Sequence, residues 1–220
     1  RGKLPRERTL ELLRSVYAES SEDELLEMMN YIKKRKNEEM MGGTRRHGKR
    51  ENKNLARQAA TYLRKSDGPR VAVFEVNGFD THAAQGGVDG SHTKCLVEMD
   101  EIINNLKDNL QEAYKDTIIL TVTEFGRTIK QNGGNGTEHG YGTAIFMAGG
   151  LLKKSQVHTD WPGLKRKELY DGRDLNATID ARSVYASAMS TVFDLAFKRI
   201  QKDVFWGEDL QNLSDKLFKA

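Results

Sequence analysis

Residues 70–76 read RVAVFEV, a short run rich in β-branched residues between a proline and an Asn-Gly pair, which is typical of a buried strand. Residues 117–123 (TIILTVT) and 144–148 (AIFMA) have the same character. A helical pattern covers about residues 93–114, between the first two runs, and another covers about residues 181–200. This alternation predicts an α/β fold with a mostly parallel sheet flanked by helices.

The front of the chain has a different composition. Its apolar residues recur at helical spacing, which predicts helices through residues 1–69, the third of them at about residues 52–65. Residues 1–70 carry 18 Lys and Arg against 11 Asp and Glu, a net charge of +7, whereas the rest of the chain carries −4. We therefore expect a basic helical segment at 1–69 and an α/β domain at 70–220.

Composition excludes several classes of protein. The chain has 220 residues, 37% of them hydrophobic and 30% charged, with a net charge of +3. This balance is that of a globular protein, and no segment approaches the roughly 18 apolar residues that a membrane-spanning helix needs. Cys95 is the only cysteine, so no disulfide can form within the chain.

Polar residues cluster beside the predicted strands, at the strand ends where an α/β sheet usually binds its ligand. Asp80 and His82 follow the first strand, and Glu138 and His139 precede the third. Carboxylates together with imidazoles suit zinc, manganese or iron. These four residues are therefore the candidate metal ligands, and a turn or a surface loop is the alternative interpretation of each cluster.

Two further charged residues end the second predicted strand. Arg127 can bind a phosphate or sulfate through two parallel hydrogen bonds. Glu124 can act as another ligand, or orient a ligand histidine from behind. A simple salt bridge between Glu124 and Arg127 is the alternative.

The motifs together carry a family resemblance. Residues 78–85 read GFDTHAAQ, residues 123–128 read TEFGRT, and residues 136–140 read GTEHG. This combination resembles the family named domain of unknown function 1501, over roughly residues 55–195. Members of that family are bacterial, are often exported through the twin-arginine route, and are similar to the alkaline phosphatase and sulfatase superfamily.

The resemblance implies an alkaline phosphatase-like, mostly parallel sheet with one or two metal ions at its strand ends. It pairs Asp80 with His82 and Glu138 with His139 as ligands, where the superfamily usually has Asp in place of Glu138, and it leaves His158 as the available late histidine. It further implies a nucleophile upstream of this chain, so we expect an incomplete domain that lacks it. An exported location is implied, and a cytoplasmic one stays open.

The leading hypothesis is a metal-dependent hydrolase of phosphate or sulfate esters, with Arg127 and Glu124 as catalytic residues and a small anionic substrate. Its cofactor is a divalent metal, zinc first, with manganese, calcium or iron as alternatives. The first rival is a non-catalytic ligand-binding or structural member of the same fold. The second is binding of nucleic acid or an acidic partner by the basic residues 33–50, which lack the interleaved aromatic residues that stack on bases.

Overall fold

The computed structural model of the chain describes residues 49–219, and the side chains from residue 52 onward. The helices and most of the basic loop predicted before residue 49 lie outside the described residues. The same holds for most of the basic segment proposed to bind nucleic acid.

Helices cover far more of the described residues than strands do. They are α1 (Lys49–Leu63), α2 (Ser91–Leu110), α3 (Ala181–Phe193), α4 (Phe197–Asp203) and α5 (Ser214–Leu217). Short 3₁₀ helices cover Gln111–Asp116 and Arg166–Glu168. The helices predicted at about 52–65 and 93–114 are thus confirmed within a few residues.

The helix predicted over about residues 181–200 is divided in two. Asp194 adopts a left-handed backbone conformation with φ of 50°, and its N–H bonds to the carbonyl oxygen of Ser190. Ser190 in turn donates its hydroxyl to the carbonyl of Leu195 at 2.7 Å. These contacts satisfy the end of α3, so α4 begins as a separate helix.

The prediction of a mostly parallel, alkaline phosphatase-like sheet is wrong for the described residues. Their strands are β1 (Ile119–Leu120), β2 (Gly126–Arg127), β3 (His139–Gly140) and β4 (Met147–Ala148). β1 pairs with β4 and β2 pairs with β3, and both pairs are antiparallel. The register of the first pair aligns Ile119 with Ala148 and Leu120 with Met147.

The segment at 70–76 explains why the prediction failed. It forms no strand, although Phe74 and Val76 pack against the core. Val71 and Val73 are exposed to 60% and 90%. A run of β-branched residues favours an extended backbone. A β-strand also requires hydrogen bonds to the backbone of a neighbouring strand. None of the described segments supplies that neighbour here.

β1 lies between two groups of helices. Ile119 packs with Phe74 and Val76 against the buried residues of α1 and α2, which are Ala56, Ala60, Ile102, Leu106 and Leu110. Ile118 and Leu120 pack the other way, against Val184 and Ala188 of α3 and Leu217 of α5. Because side chains pack on both of its sides, β1 is held in place, and this fixes the start of the loop that leads into β2.

Asp180 caps the start of α3, and we expect its removal to destabilise the fold. Its carboxylate accepts the backbone N–H of Arg182 at 2.8 Å and the Arg182 guanidinium at 2.7–3.1 Å. Asp180→Ala should lower the free energy of unfolding at pH 7 by about 1 kcal/mol, the usual cost of losing such a cap. Urea denaturation measures the loss, and an unchanged midpoint would contradict the prediction.

The same cap predicts a pH dependence. Hydrogen bonds from the Arg182 side chain lower the pKa of Asp180; partial burial opposes this, and the Arg182 backbone N–H adds to the lowering. A lowered pKa in the folded state contributes stability above the ordinary carboxyl value, and that contribution disappears as the pH falls through the lower, folded value. Asp180→Asn keeps a capping side chain and should remove this part of the acid sensitivity.

Candidate metal centre

The β2–β3 hairpin brings together Arg127, from the end of the second predicted strand, and the Glu138–His139 pair, which precedes the third. In its register Gly126 lies opposite Gly140, and Arg127 lies opposite His139. The backbone N–H of Thr128 donates to the Glu138 carbonyl at 2.9 Å, which extends the pairing by one residue. Side chains directly opposite on antiparallel strands are close neighbours, so Arg127 and His139 stand side by side.

Backbone hydrogen bonds attach the segment that contains Asp80 and His82 to the same hairpin. The N–H of Thr137 donates to the Thr81 carbonyl at 3.1 Å, and the N–H of Ala84 donates to the Gly134 carbonyl at 2.9 Å. A Cβ atom at Gly136 would lie 2.3 Å from the carbonyl carbon of His82. Gly136 is therefore required for two backbones to meet, rather than for the approach of a ligand.

Three potential ligand atoms form a small triangle at this junction. Nε2 of His82 lies 3.1 Å from Nε2 of His139, and each nitrogen lies 3.0 Å from Oδ1 of Asp80. All three side chains are about half exposed, at 43%, 48% and 52% for His82, His139 and Asp80. One face of the triangle is thus accessible from solution, and this group can hold a metal ion.

The triangle fits a metal ion in both size and donor type. Bonds of about 2.0–2.2 Å place neighbouring ligand atoms roughly 2.8–3.1 Å apart in octahedral coordination and roughly 3.3–3.6 Å apart in tetrahedral coordination. The separations of 3.0–3.1 Å match the octahedral spacing and lie a few tenths of an ångström below the tetrahedral one. Two imidazoles with one carboxylate suit zinc, manganese or iron. They suit calcium poorly, because calcium takes oxygen ligands.

Glu138 holds His82 in the form that a metal requires. Its Oε2 lies 3.0 Å from Nδ1 of His82, on the side of the ring away from the triangle. A carboxylate there keeps the proton on Nδ1 and leaves the lone pair of Nε2 for a metal. The hydrogen bond from Asn132 lowers the pKa of Glu138; burial opposes this, and the bond to His82 adds to the lowering. Glu138 therefore stays ionised.

Asn132 links the glycine-rich loop to this pair. Its side-chain amide donates to Oε1 of Glu138, and also to the His82 carbonyl at 2.8 Å. Its side-chain oxygen accepts the backbone N–H groups of Gly134 and Gly136, both at 2.9 Å. One side chain thus fixes the loop, the carboxylate and the backbone of a ligand histidine.

Arg127 positions the carboxylate of Asp80. Its Nη1 donates to Oδ1 of Asp80, while Nε donates to the Thr137 hydroxyl at 2.9 Å and Nη2 donates to the Thr137 carbonyl. Burial acts to raise the pKa of Asp80, but the hydrogen bonds from Arg127 and His139 and the charges of His82 and His139 outweigh it, so the pKa is lowered. Asp80 is therefore ionised, which is the form in which a carboxyl group can bind a metal ion.

An aromatic ring supports the third ligand. Phe125 stacks on the His139 imidazole with ring centroids 3.7 Å apart and an angle of 17° between the planes. Such stacking restricts the rotation of the imidazole and excludes water from one of its faces. One face of the His139 ring thus packs on Phe125, while its Nε2 atom belongs to the triangle.

The structure brings together most of the residues that the sequence singled out. Asp80, His82 and His139 form the triangle, Glu138 lies behind His82, and Arg127 lies beside Asp80. Glu124 is exposed and has no hydrogen bond or ion pair within residues 49–219, so Arg127 pairs with Asp80 instead of Glu124. His158 contacts Gln156 and lies outside the triangle.

Sequence reasoning missed the supporting residues. Thr137 and Gln85 matter because the Thr137 hydroxyl accepts from Arg127 and donates to Oε1 of Gln85 at 3.0 Å. Arg173 is another, since its Nη2 lies 3.4 Å from the His139 carbonyl oxygen. An Asp-Gly pair at 171–172 signals the tight turn that carries it, but no local pattern indicates where that turn packs.

The arrangement can be compared with known proteins. A family model described as protein of unknown function DUF1501 matches residues 5–199. The chain belongs to the DUF1501 family. The match includes every residue of the triangle and its supports, so the DUF1501 sequence and this site coincide along the chain. No curated protein and no solved structure gives a significant match. Among the described residues of this DUF1501 chain, no helix is long and apolar enough to cross a membrane.

Proposed function

We propose that the chain binds one divalent metal ion, zinc, and takes part in the hydrolysis of phosphate or sulfate esters. The observation that carries this proposal is the triangle of Asp80, His82 and His139 atoms, mutually 3.0–3.1 Å apart and open to solvent. Three protein ligands with an open position are typical of catalytic rather than structural zinc sites. Zinc has no redox chemistry, which suits hydrolysis.

Different residues of the chain would bind the metal, fix the proton on His82 and orient Asp80. When bound, the metal would supply Lewis acidity toward an ester oxygen of the substrate and toward an attacking water molecule, so hydrolysis would not require a nucleophile from the protein. Asp80, His82 and His139 would hold it, and Glu138 keeps the proton of His82 on Nδ1. Arg127 fixes the orientation of Asp80 and adds positive charge beside an anionic substrate.

A hydrolysis assay tests the proposal. The purified chain should carry about one zinc ion, and should hydrolyse an aryl phosphate or an aryl sulfate only while zinc is bound. Removing zinc with a chelator should reduce the rate by at least about 100-fold, and adding zinc back should restore it, because the Lewis acid provides several kcal/mol of transition-state stabilisation. Both esters are measured with and without added zinc.

Two outcomes would refute parts of this proposal. Zinc binding without hydrolysis of either ester would favour the non-catalytic, ligand-binding alternative. Failure to bind zinc, manganese or iron would remove the metal centre itself. The variant His158→Ala serves as the control, because this histidine lies outside the triangle and its loss should leave the rate unchanged.

A further inference from the structure

A tight turn at residues 170–174 is held against the strand that carries His139. Tyr170 and Asp174 exchange backbone hydrogen bonds of 2.9 and 3.0 Å, and the N–H of Gly142 donates to the Leu175 carbonyl at 2.8 Å. The rings of Tyr141 and Tyr170 stack with centroids 4.2 Å apart. The turn is thus attached to residues 141–142, which follow β3 directly.

Arg173 projects from this turn with a buried carboxylate as its anchor. Its Nη2 donates to Oδ2 of Asp174 at 2.8 Å; the Asp174 side chain is 4% exposed and the Arg173 side chain 62%. The same nitrogen lies 3.4 Å from the His139 carbonyl oxygen. Asp174 raises the pKa of Arg173 above its already high ordinary value, burial opposes this, and the charges of Asp171 and Glu138 add to it. The guanidinium therefore stays charged and lies within electrostatic reach of Glu138.

The two arginines near the triangle differ in what they can still bind. Arg127 is only 20% exposed and uses Nε, Nη1 and Nη2 on Thr137 and Asp80. For Arg173, the hydrogen bonds within the described part of the chain all involve Nη2. Its Nε–H and Nη1–H₂ groups remain for a ligand, and each can donate a charge-assisted hydrogen bond to an oxygen of a phosphate or sulfate.

We propose that Arg173, and not Arg127, binds the tetrahedral oxyanion of the substrate beside the metal centre. The proposal rests on the function proposed above for its substrate class, but it concerns a separate residue on a separate turn. The buried Asp174 carboxylate already holds the Arg173 guanidinium through a hydrogen bond, so Arg173 loses little side-chain freedom when the oxyanion binds. The ligand is a phosphate or sulfate group, and the two free ions are distinguished in the test.

The competing explanation is that Arg173 serves only to neutralise Asp174. A buried carboxylate without its partner is costly, so that role predicts an effect on stability and none on ligand binding. Calorimetric titration of inorganic phosphate, and separately of sulfate, into the folded chain distinguishes the two roles. Each ion is titrated in the presence and in the absence of zinc.

Arg173→Ala should weaken phosphate or sulfate binding by about tenfold or more, because a charge-assisted hydrogen bond is lost, and should leave zinc affinity within about twofold. Arg173→Lys keeps the charge beside Asp174, and so keeps the fold, but lacks the Nε–H and Nη1–H₂ donors; it should bind the ion several-fold more weakly than the unsubstituted chain. Arg199→Ala is the matched control, since Arg199 is 71% exposed and pairs with Asp203 at 3.5 Å. It should change nothing.

Unchanged phosphate and sulfate affinity in both Arg173 variants would overturn the proposal, as would a parent chain that binds neither ion. A chain that binds phosphate through Arg173 but holds no metal would support this inference and refute the metal-dependent function. A chain that binds zinc but neither phosphate nor sulfate would refute this inference and support the metal site. Failure of one proposal is therefore distinguishable from failure of the other.

Discussion

Replacing His139 with alanine is expected to reduce zinc affinity by more than about 1,000-fold. The substitution removes one corner of a triangle whose other two atoms, from Asp80 and His82, cannot hold a catalytic metal by themselves. Loss of a supporting residue typically costs 10- to 100-fold in metal affinity, and loss of a direct ligand should cost more. Zinc affinity measured by competition with a chromophoric chelator would show the change.

The variant must be compared with the loss of a histidine elsewhere. His158→Ala removes an imidazole that lies outside the triangle, so its zinc affinity should equal that of the unsubstituted chain. Circular dichroism and urea denaturation would show whether the His139 variant keeps its fold despite the loss of the Phe125 stacking. Equal zinc affinity in a folded His139→Ala variant would eliminate the proposed centre.

Replacing Glu138 with alanine should have the second largest effect, a reduction of zinc affinity by about 10- to 100-fold. Glu138 binds Nδ1 of His82, so the variant loses the group that fixes the proton on that nitrogen and leaves Nε2 free for metal. Glu138→Gln retains an oxygen acceptor without the charge, and should fall between alanine and the unsubstituted chain. The proton position on His82 can be followed by ¹⁵N NMR of the imidazole.

The size of the effect distinguishes the two roles of Glu138. If its carboxylate were itself a ligand, as the sequence motif suggested, alanine should cost as much as His139→Ala does. If its carboxylate had no role, affinity would not change. Glu124→Ala is the matched control, because this carboxylate is exposed and has no hydrogen bond or ion pair in the described part of the chain. Its zinc affinity should be unaltered.

The local elements were predictable because local forces decide them. The helical patterns of the sequence predicted α1 and α2 within a few residues. The motifs also predicted that Asp80, His82 and His139 would lie near one another. Glycine and charged residues clustered beside predicted strands supplied that signal, and the family match includes all three residues.

The sheet was not predictable in the same way. Residues 70–76 and 117–123 have the composition of buried strands, yet only Ile119–Leu120 pairs with another strand among them. Composition did not decide burial there, since Val71 and Val73 are exposed. Pairing and strand direction depend on which distant backbone is available to accept and donate hydrogen bonds.

The sequence by itself indicated which residues are candidates for binding a metal ion and which local segments become helices. The tertiary structure decided the role of each residue in the site. It placed Glu138 behind His82, directed Arg127 to Asp80 across 47 positions of sequence, and brought Arg173 to the strand of His139. The physical reason is that a short motif fixes the type of a side chain, whereas its hydrogen-bond partners lie on segments that only folding brings together.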